Sequence, residues 1–471
     1  MENQHKRYLV TYTDGSVSTE TAIKLLGVAK SKFKDGVSFL ESESIPSEND
    51  VLHFESLGIS SLELTEEEAE KIANKDDVLA VEEDTTMHAL SSDVNDEDQF
   101  NELFSNSEEL YEANDDEKDN FIQGYNSALL EVFAAVLEVN SNKHNLLADG
   151  AFLSTNPKMP TPKNKPKTPF KSTIPTRTQP VPWNISMVKA TTAWGRGIRG
   201  NGIKVAILDT GIAAHPDLTI AGGVSFIPGS TSHDDLHSHG THCAGIVAAK
   251  NNFFGIVGVA PKAKLYAVKV LDDNGSGQSS WIIAGMEWCL RNGIKVASMS
   301  LGGTSSPSVA YANAIKRCQD NGVVVVIASG NSYGSRFPWV CSPANSIING
   351  QDNASPMAVG SINNVNTIAD NSSRGGMTAP QGSVPWNQVS CVAPGVAINS
   401  TVLGNGYGLK SGTSMACPHV AGLAALIIQR YPGISAANVI RRITTTCSDL
   451  GPSSYDLTFG YGLINCDLAT R

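Results

Sequence analysis

The stretch Ile203-Lys-Val-Ala-Ile-Leu208, followed directly by Asp209-Thr-Gly211, decides the architecture of this chain. A short apolar run of this kind is typical of a strand that is buried on both faces of a sheet. Comparable runs follow at residues 265–270, 296–299 and 323–328. Helical patterns separate or follow them at residues 279–291, 308–320 and 414–430. The alternation predicts an α/β fold with a doubly wound, mostly parallel sheet flanked by helices, whose sites lie at the carboxyl ends of the strands.

Three segments of different composition make up the 471 residues. Residues 1–90 predict a small α+β domain. Its expected strands are 7–12, 51–55, 60–64 and 78–83, and its expected helices are 20–33 and one that begins at Thr65. Residues 91–178 predict an acidic insert with one helix at 121–139, followed by a linker rich in proline and lysine. Residues 179–471 hold the α/β pattern and all eight cysteines.

The formal net charge of −12 is concentrated in the insert. Twelve acidic residues and one lysine lie between Asp93 and Asp119, whereas residues 151–178 carry six basic residues and no acidic one. A nucleic-acid-binding surface needs a basic stripe on a folded face, so we expect no nucleic-acid partner. No run approaches the roughly 18 apolar residues of a membrane span, and the charged residues 1–7 do not resemble a signal peptide.

Three motifs carry residues suited to acyl transfer. Asp209 ends the first strand, His239 opens the motif His239-Gly-Thr-His242-Cys-Ala-Gly245, and Ser414 lies in Gly412-Thr-Ser414-Met-Ala-Cys-Pro-His419. The reaction needs a nucleophile, a base that takes its proton and a carboxylate that orients the base. These three residues supply them in the order Asp, His, Ser.

Together with Ser300-Leu-Gly-Gly303 and Ala328-Ser-Gly-Asn331, these motifs resemble those of the subtilisin-like serine proteases, over residues 179–471. The resemblance implies that Ser414 is the nucleophile, His239 the general base and acid, and Asp209 the carboxylate that fixes the imidazole. It also implies that the Asn331 amide and the Ser414 backbone N–H bind the oxyanion. A monomeric serine endopeptidase with protein or peptide substrates is therefore expected.

The resemblance further implies where the substrate binds. Two backbone segments hold it as an added strand and a third lines the P1 pocket; these residues are Gly275, Ser276, Gly277, Ser300, Leu301, Gly302, Gly303, Ala328, Ser329 and Gly330. None of them is charged, so we expect large hydrophobic P1 residues. Ser279 stands where many relatives carry a tyrosine, which predicts a roomier S4 pocket. The segment 332–356 is longer than the family pattern and borders the P1 pocket.

A calcium ion is implied by the same resemblance. The matching positions are Gln179, Asp217, Lys250, Asn252, Phe254 and Ile256. A carboxylate, amide oxygens and backbone carbonyls suit this hard cation. We expect the ion to stabilise the N-terminal end and the loop of the catalytic domain, away from the catalytic residues.

Residues 1–90 resemble, more loosely, the inhibitory prodomain of secreted subtilisins. The likeness rests on Tyr8-Leu-Val-Thr-Tyr12 and on residues 81–90. It implies an autoprocessed zymogen whose own prodomain acts as an intramolecular inhibitor. Such a prodomain favours export from the cytoplasm, with a cytoplasmic enzyme as the alternative.

The end of this region predicts the site of processing. Leu90 should fill the P1 pocket, Ala89 should lie at P2 and Met87 at P4, so that the bond between Leu90 and Ser91 is cut. Tethering to the enzyme keeps this segment at a high effective concentration. A second cut between residues 156 and 178 would release the acidic insert.

Two other interpretations stay open on the sequence. His233, His237, His239, His242 and Cys243 resemble a metal-ligand cluster, which would make the chain a metal-binding module or a metallohydrolase. A catalytically inactive protein with the same fold is also possible.

The cysteines leave a further alternative. Eight cysteines in one domain indicate either disulfides or buried thiols. Cys243 and Cys417 lie inside catalytic motifs, so we expect these two to stay free, which leaves six for up to three bridges.

Overall fold

The computed structural model describes residues 5–42, 44–93, 179–303, 306–335, 338–346, 356–376 and 388–471. The described ranges fall into one compact unit, which contains both the N-terminal region and the α/β domain. The helix predicted at residues 121–139 and the second processing site predicted between 156 and 178 lie outside the described residues.

A seven-stranded parallel sheet forms the centre of the α/β domain. Its strands run in the order β16-β15-β14-β12-β8-β10-β9: Cys391–Pro394, Met357–Ile362, Val324–Ala328, Val296–Met299, Lys204–Asp209, Lys264–Lys269 and Ile220–Ser225. The helices of this domain are Trp183–Met187, Ala190–Gly195, His239–Ala248, Ser279–Arg291, Val309–Asp320, Thr413–Arg430, Ala436–Thr445 and Cys466–Ala469. The predicted α/β fold is confirmed.

The buried strands explain why the sheet forms. The side chains of β8, β12 and β14 are almost completely shielded, because helices cover both faces of a parallel sheet. Strand β9, Ile220–Ser225, was not predicted, since its two glycines hide the apolar pattern. Strands β15 and β16 also escaped prediction.

The N-terminal region has its own five-stranded sheet. Its order is β2-β3-β4-β1-β5: Phe33–Asp35, Val51–Phe54, Ile59–Leu64, Lys6–Tyr12 and Val78–Glu83. The helices of this region are Thr19–Leu26, Gly36–Glu41 and Glu66–Ala73. The last begins at a Thr65 capping box, in which Thr65 and Glu68 satisfy each other's backbone N–H groups. The small α+β unit agrees with the predicted fold class.

One predicted helix was too long. The prediction ran to Phe33, but the helix ends at Leu26, because Gly27 adopts the left-handed conformation (φ 70°) and its N–H bonds back to Ile23. Phe33 instead begins strand β2.

Two small sheets join the N-terminal region to the α/β domain. Strand β6, Thr86–Ala89, lies between β11, Ser276–Gln278, and β13, Leu301–Gly302. Strand β7, Ser92–Asp93, pairs with β18, Gly406–Ser411, which also pairs with β17, Ile398–Val402. Among the described residues, no helix is long and apolar enough to cross a membrane.

Candidate active site

The carboxylate and the imidazole meet at the carboxyl end of the central sheet. Asp209 is the last residue of β8, and His239 begins the helix His239–Ala248. His239 Nδ1 lies 2.7 Å from Asp209 Oδ1, and the same oxygen accepts a hydrogen bond of 2.8 Å from the backbone N–H of Thr210. Both side chains are buried. The carboxylate is therefore placed to fix the tautomer and orientation of the ring.

Ser414 lies at the start of the helix Thr413–Arg430, after Gly412 with φ 142°. A side chain at Gly412 would collide with the Leu90 carbonyl, so glycine is needed for this close approach. The Ser414 hydroxyl donates to the Ser300 carbonyl (3.0 Å). His239 Nε2 has no hydrogen-bond partner among the described residues.

The Leu90 carbonyl occupies a pocket of hydrogen-bond donors. Asn331 Nδ2 donates to it at 2.8 Å and the Ser414 N–H at 3.4 Å. The Asn331 Oδ1 atom accepts from the Thr413 N–H (2.9 Å) and the Thr413 hydroxyl (3.0 Å), so the amide is held with its nitrogen toward Leu90. The chain continues unbroken from Leu90 to Ser91 across this point.

The segment before Leu90 binds as an added strand. The Ala89 N–H donates to the Gly275 carbonyl (2.9 Å) and the Leu90 N–H to the Ser300 carbonyl (3.3 Å). The register places Ala89 opposite Leu301 and His88 opposite both Gly302 and Ser276. Met87 lies opposite Gly277 and is almost completely buried.

The side-chain pockets are shaped by glycines. A β-carbon on Gly302 would come within 2.9 Å of Leu90 Cδ1 and 2.5 Å of Cys341 Sγ, and one on Gly330 within 2.9 Å of the same sulfur. A β-carbon on Gly303 would come within 2.6 Å of Met87 Sδ. A residue larger than glycine at position 302 would therefore exclude the Leu90 side chain, and one at position 303 would exclude the Met87 side chain. Ala328 ends β14 beside this region, and the Ser329 carbonyl accepts from the Cys341 N–H (3.0 Å).

Ser279 lies at the far end of the added strand. Its backbone N–H and its hydroxyl both donate to the Thr85 carbonyl, each at 2.9 Å. The hydroxyl thus anchors the segment that precedes Met87. From the sequence, Ser279 predicted only a roomier S4 pocket and not this hydrogen bond.

The N-terminal region also contacts two helices through carboxylates. Glu82 accepts from the N–H groups of Val309 (3.0 Å) and Ala310 (2.8 Å), at one helix N-terminus. Asp84 accepts from the Ser280 N–H (2.9 Å) at another. Negative charge is favourable at these ends because the helix N–H groups there lack partners.

Asp235 is a buried carboxylate that the sequence analysis missed. It accepts from the Thr210 hydroxyl (2.8 Å), from the backbone N–H groups of His237 and Ser238 (2.9 Å each) and from the N–H and hydroxyl of Thr241 (2.9 and 2.6 Å). Burial alone would raise the pKa of Asp235, but these hydrogen bonds hold it below its ordinary value. Asp235 thereby ties the residue after Asp209 to the loop that precedes His239. The only sequence signal is an acidic residue four positions before His239.

The six residues predicted to hold calcium lie together. Gln179 Nε2 donates to the carbonyl oxygens of Lys250 (3.2 Å), Phe254 (2.7 Å) and Ile256 (2.6 Å). Asp217 accepts from Asn252 Nδ2 (3.0 Å), the Ile256 N–H (2.9 Å) and the Tyr407 hydroxyl (3.2 Å). Three carbonyls that converge on one point, next to a carboxylate, form an oxygen-rich site suited to a hard cation.

The proposed histidine cluster does not assemble. His242 Nε2 lies 2.9 Å from the Ile398 carbonyl and 3.0 Å from the Gly408 carbonyl, and burial lowers the His242 pKa to about 3. Among the described residues, one group of three metal-ligating side chains is close enough to share an ion: Asp209, His239 and Cys243. In that group the imidazole is already bonded to the carboxylate, and His233 and His237 do not belong to it.

The cysteines follow the thiol alternative. All eight lie in the described part of the chain and are free, including Cys243 and Cys417. Seven are buried and Cys447 is half-buried. Burial raises the pKa of the Cys243 thiol well above its ordinary value, which keeps it protonated.

The sequence of this chain is similar to those of known proteases. A family model described as the subtilase family matches residues 200–462, and the chain belongs to that family. The chain is 45% identical over 293 residues to Subtilisin Savinase of Lederbergia lenta, a match that covers 62% of this chain and 100% of the relative. It is 44% identical over 296 residues to Subtilisin E of Bacillus subtilis, a match that covers 62% of this chain and 72% of the relative.

A third relative has the same degree of similarity. The Alkaline protease of Alkalihalobacillus alcalophilus is 45% identical over 298 residues, covering 63% of this chain and 72% of the relative. The protein is thus a subtilisin-like serine endopeptidase, as the sequence motifs predicted. The metallohydrolase interpretation is wrong.

Proposed function

We propose that Asp209, His239 and Ser414 form the catalytic triad of this endopeptidase and that residues 5–90 hold it in an inhibited, self-processing state. One observation carries the proposal: the Leu90 carbonyl accepts hydrogen bonds from Asn331 and from the Ser414 backbone. The enzyme's own chain therefore lies in the cleft as a substrate would.

The chemistry begins with a rotation of the Ser414 side chain. Its hydroxyl leaves the Ser300 carbonyl and turns to His239 Nε2, which takes the proton as the oxygen attacks the Leu90 carbonyl carbon. The negative charge that forms on the Leu90 oxygen is bound by the Asn331 amide and the Ser414 N–H. Protonated His239 then gives its proton to the nitrogen of Ser91, the bond to Leu90 breaks, and water later releases the acyl group by the reverse sequence.

The tail of residues 86–90 also supports a preference for large hydrophobic P1 residues. Leu90 lies against Gly302 and close to Cys341, and neither of these pocket residues is charged. A buried charge without a partner is costly, so charged P1 residues should be poor substrates. Met87, the fourth residue before the scissile bond, would occupy the S4 pocket.

Leu90→Asp should stall the cut between Leu90 and Ser91. The substitution places an ionised carboxylate in this uncharged pocket, and we expect the rate of processing to fall by about 10² or more, because several kcal/mol of desolvation are uncompensated. The appearance of the new N-terminus at Ser91 is measured by mass spectrometry and N-terminal sequencing. Leu79→Asp is the matched control, since Leu79 is an exposed leucine (47%) of the same region. Normal cutting of the Leu90→Asp chain at the same bond would contradict the proposal that Leu90 fills the P1 pocket during processing.

We propose calcium as the resident cation of the site around Gln179. The carbonyls of Lys250, Phe254 and Ile256 would bind it, with oxygen atoms of Gln179, Asn252 and Asp217 completing the set. Gln179 Oε1 accepts from the Asn252 N–H (2.7 Å) and the Phe253 N–H (2.9 Å), so the Gln179 side chain would have to turn away from these two donors to present its oxygen to the ion. The ion would stabilise the fold and take no part in the reaction.

Calcium should bind before the chain is cut. Gln179 Nε2 contacts the carbonyls of this site while Leu90 and Ser91 are still joined in the cleft. An uncleavable Ser414→Ala precursor should therefore gain about 2.7 kcal/mol when free calcium exceeds the dissociation constant a hundredfold. Calorimetric titration and thermal unfolding, with and without a chelator, measure this.

Two variants complete the calcium test. Asp217→Ala in the same precursor should abolish the stabilisation, whereas Asp320→Ala, which removes an exposed carboxylate on the helix Val309–Asp320, should leave it intact. If the processed enzyme bound calcium and the precursor did not, binding before cleavage would be contradicted.

Export from the cytoplasm stays a prediction. The proposed inhibitory N-terminal region supports it, whereas the free cysteines give it no support from disulfides.

A further inference from the structure

Lys269 is a buried lysine at the carboxyl end of the central sheet. It is the last residue of β10 and lies beside Asp209, the last residue of β8, in the parallel pairing of these two strands. Only 4% of Lys269 is exposed. Its Nζ atom donates to the Thr210 carbonyl (2.5 Å) and to Asp273 Oδ1 (2.9 Å). Because a buried ammonium group is unfavourable unless polar groups bond to it, these two acceptors determine where the side chain lies.

The first contact leads to the catalytic carboxylate. Thr210 follows Asp209 directly, and its backbone N–H donates to Asp209 Oδ1 (2.8 Å). The Thr210 hydroxyl donates to Asp235 (2.8 Å) and accepts from the Gly240 N–H (3.0 Å). The carbonyl is the remaining polar group of Thr210, and Lys269 binds it. Lys269 therefore helps to fix the turn that carries the Asp209 carboxylate.

The second contact leads to the substrate strand. Asp273 lies in the turn of residues 272–276, in which Asp272 Oδ1 accepts from two backbone N–H groups of the same turn, each at 2.9 Å. The Asp272 carbonyl accepts from the Gly275 N–H (3.0 Å), and the Gly275 carbonyl accepts from the Ala89 N–H (2.9 Å). A turn held by such internal hydrogen bonds moves as one unit. A contact at Asp273 therefore constrains the carbonyl that binds the substrate backbone.

We propose that Lys269 is a positioning residue that couples the binding of the substrate backbone at Gly275 to the orientation of Asp209. The inference deepens the proposed endopeptidase function and rests on it. A substrate that bonds to Gly275 holds the turn in place, and Lys269 transmits this restraint to the Thr210 carbonyl. Binding energy from the second residue before the scissile bond is thereby used in the reaction, which raises kcat and not only affinity. This role requires no contact between Lys269 and the reacting atoms.

The test compares two leucine anilides with the mature wild-type enzyme. Acetyl-Leu-p-nitroanilide has no residue at P2, whereas acetyl-Met-His-Ala-Leu-p-nitroanilide carries the P2 N–H that bonds to the Gly275 carbonyl. We expect the longer substrate to have the higher kcat, and the ratio of the two kcat values measures the coupling. The ratio cancels differences in the amount of folded enzyme and general effects of a substitution on the triad.

Two variants remove the link at its two ends. Asp273→Ala removes the exposed end, whose side chain is 53% accessible, and Lys269→Met removes the buried cation. Each should reduce the ratio about tenfold, the factor that corresponds to one hydrogen bond to a charged group. The matched controls are Asn274→Ala, in the same turn, and Lys264→Met, at the exposed start of β10, and both should keep the wild-type ratio.

The outcomes separate the inference from the function on which it rests. A wild-type ratio in either variant, including one produced by an equal fall of kcat for both substrates, would overturn the coupling and leave Lys269 a purely structural role. A wild-type enzyme whose kcat does not rise with substrate length would overturn it as well. If Lys269→Met does not fold, Asp273→Ala decides the question. Failure of the wild-type enzyme to release nitroaniline from either substrate would instead count against the proposed P1 site.

Discussion

Ser414→Ala should lower peptide hydrolysis by about 10⁶, a loss typical of this family when its nucleophile is removed. The alanine cannot form the acyl-enzyme, and nothing else in the site can replace the hydroxyl at the Leu90 carbonyl. The same variant should accumulate as the uncut 471-residue chain and should not be labelled by a fluorophosphonate. Hydrolysis of a leucyl anilide, intact mass and labelling are the three measurements.

A matched serine tests whether the loss is specific. Ser435 caps the helix Ala436–Thr445 through its hydroxyl, well separated in sequence from the cleft. Ser435→Ala should cost about 1 kcal/mol of stability and retain processing and labelling. Residual fluorophosphonate labelling of Ser414→Ala would mean that another residue is acylated, and the assignment of the nucleophile would fail.

Asn331→Ala should lower kcat by about 10²–10³ with little change in KM, a magnitude known for loss of one oxyanion donor in this family. The amide meets the carbonyl oxygen whose charge grows in the transition state, so its removal should affect the reaction more than binding. Steady-state kinetics on a peptide anilide separates the two parameters.

The control for Asn331 is a second asparagine, Asn321. Asn321 precedes strand β14, whereas Asn331 follows it. Asn321 is exposed and lies at the end of the helix Val309–Asp320, where its side-chain nitrogen donates to the Arg317 carbonyl (2.8 Å). Asn321→Ala should keep kcat. An Asn331→Ala enzyme whose KM rises while kcat stays constant would show that the amide contributes to binding and not to stabilisation of the oxyanion.

Much of the fold follows from local pattern. Strand β12 and the helix Ser279–Arg291 begin and end where the sequence predicts, because hydrophobic periodicity reflects burial on two faces or on one stripe. The predicted helix that should have reached Phe33 failed at Gly27, where backbone conformation overrides side-chain pattern. Strand β9 was not predicted, because its two glycines have no side chains that could show a hydrophobic pattern.

The sequence by itself determined the chemical inventory: an aspartate after a buried strand, a histidine and a serine at helix starts, and an asparagine after a glycine. Each lies in a short motif whose residues are near one another along the chain, so its local geometry is encoded locally. The fold class and the family could be inferred for the same reason.

Only the tertiary structure decided how distant segments meet. The placement of Leu90 between Asn331 and Ser414, the pairing of β7 with β18, and the hydrogen bond from the Thr210 hydroxyl to Asp235 all join residues that are not neighbours in the sequence. No periodic pattern encodes such contacts, because their register depends on how whole sheets and helices pack together.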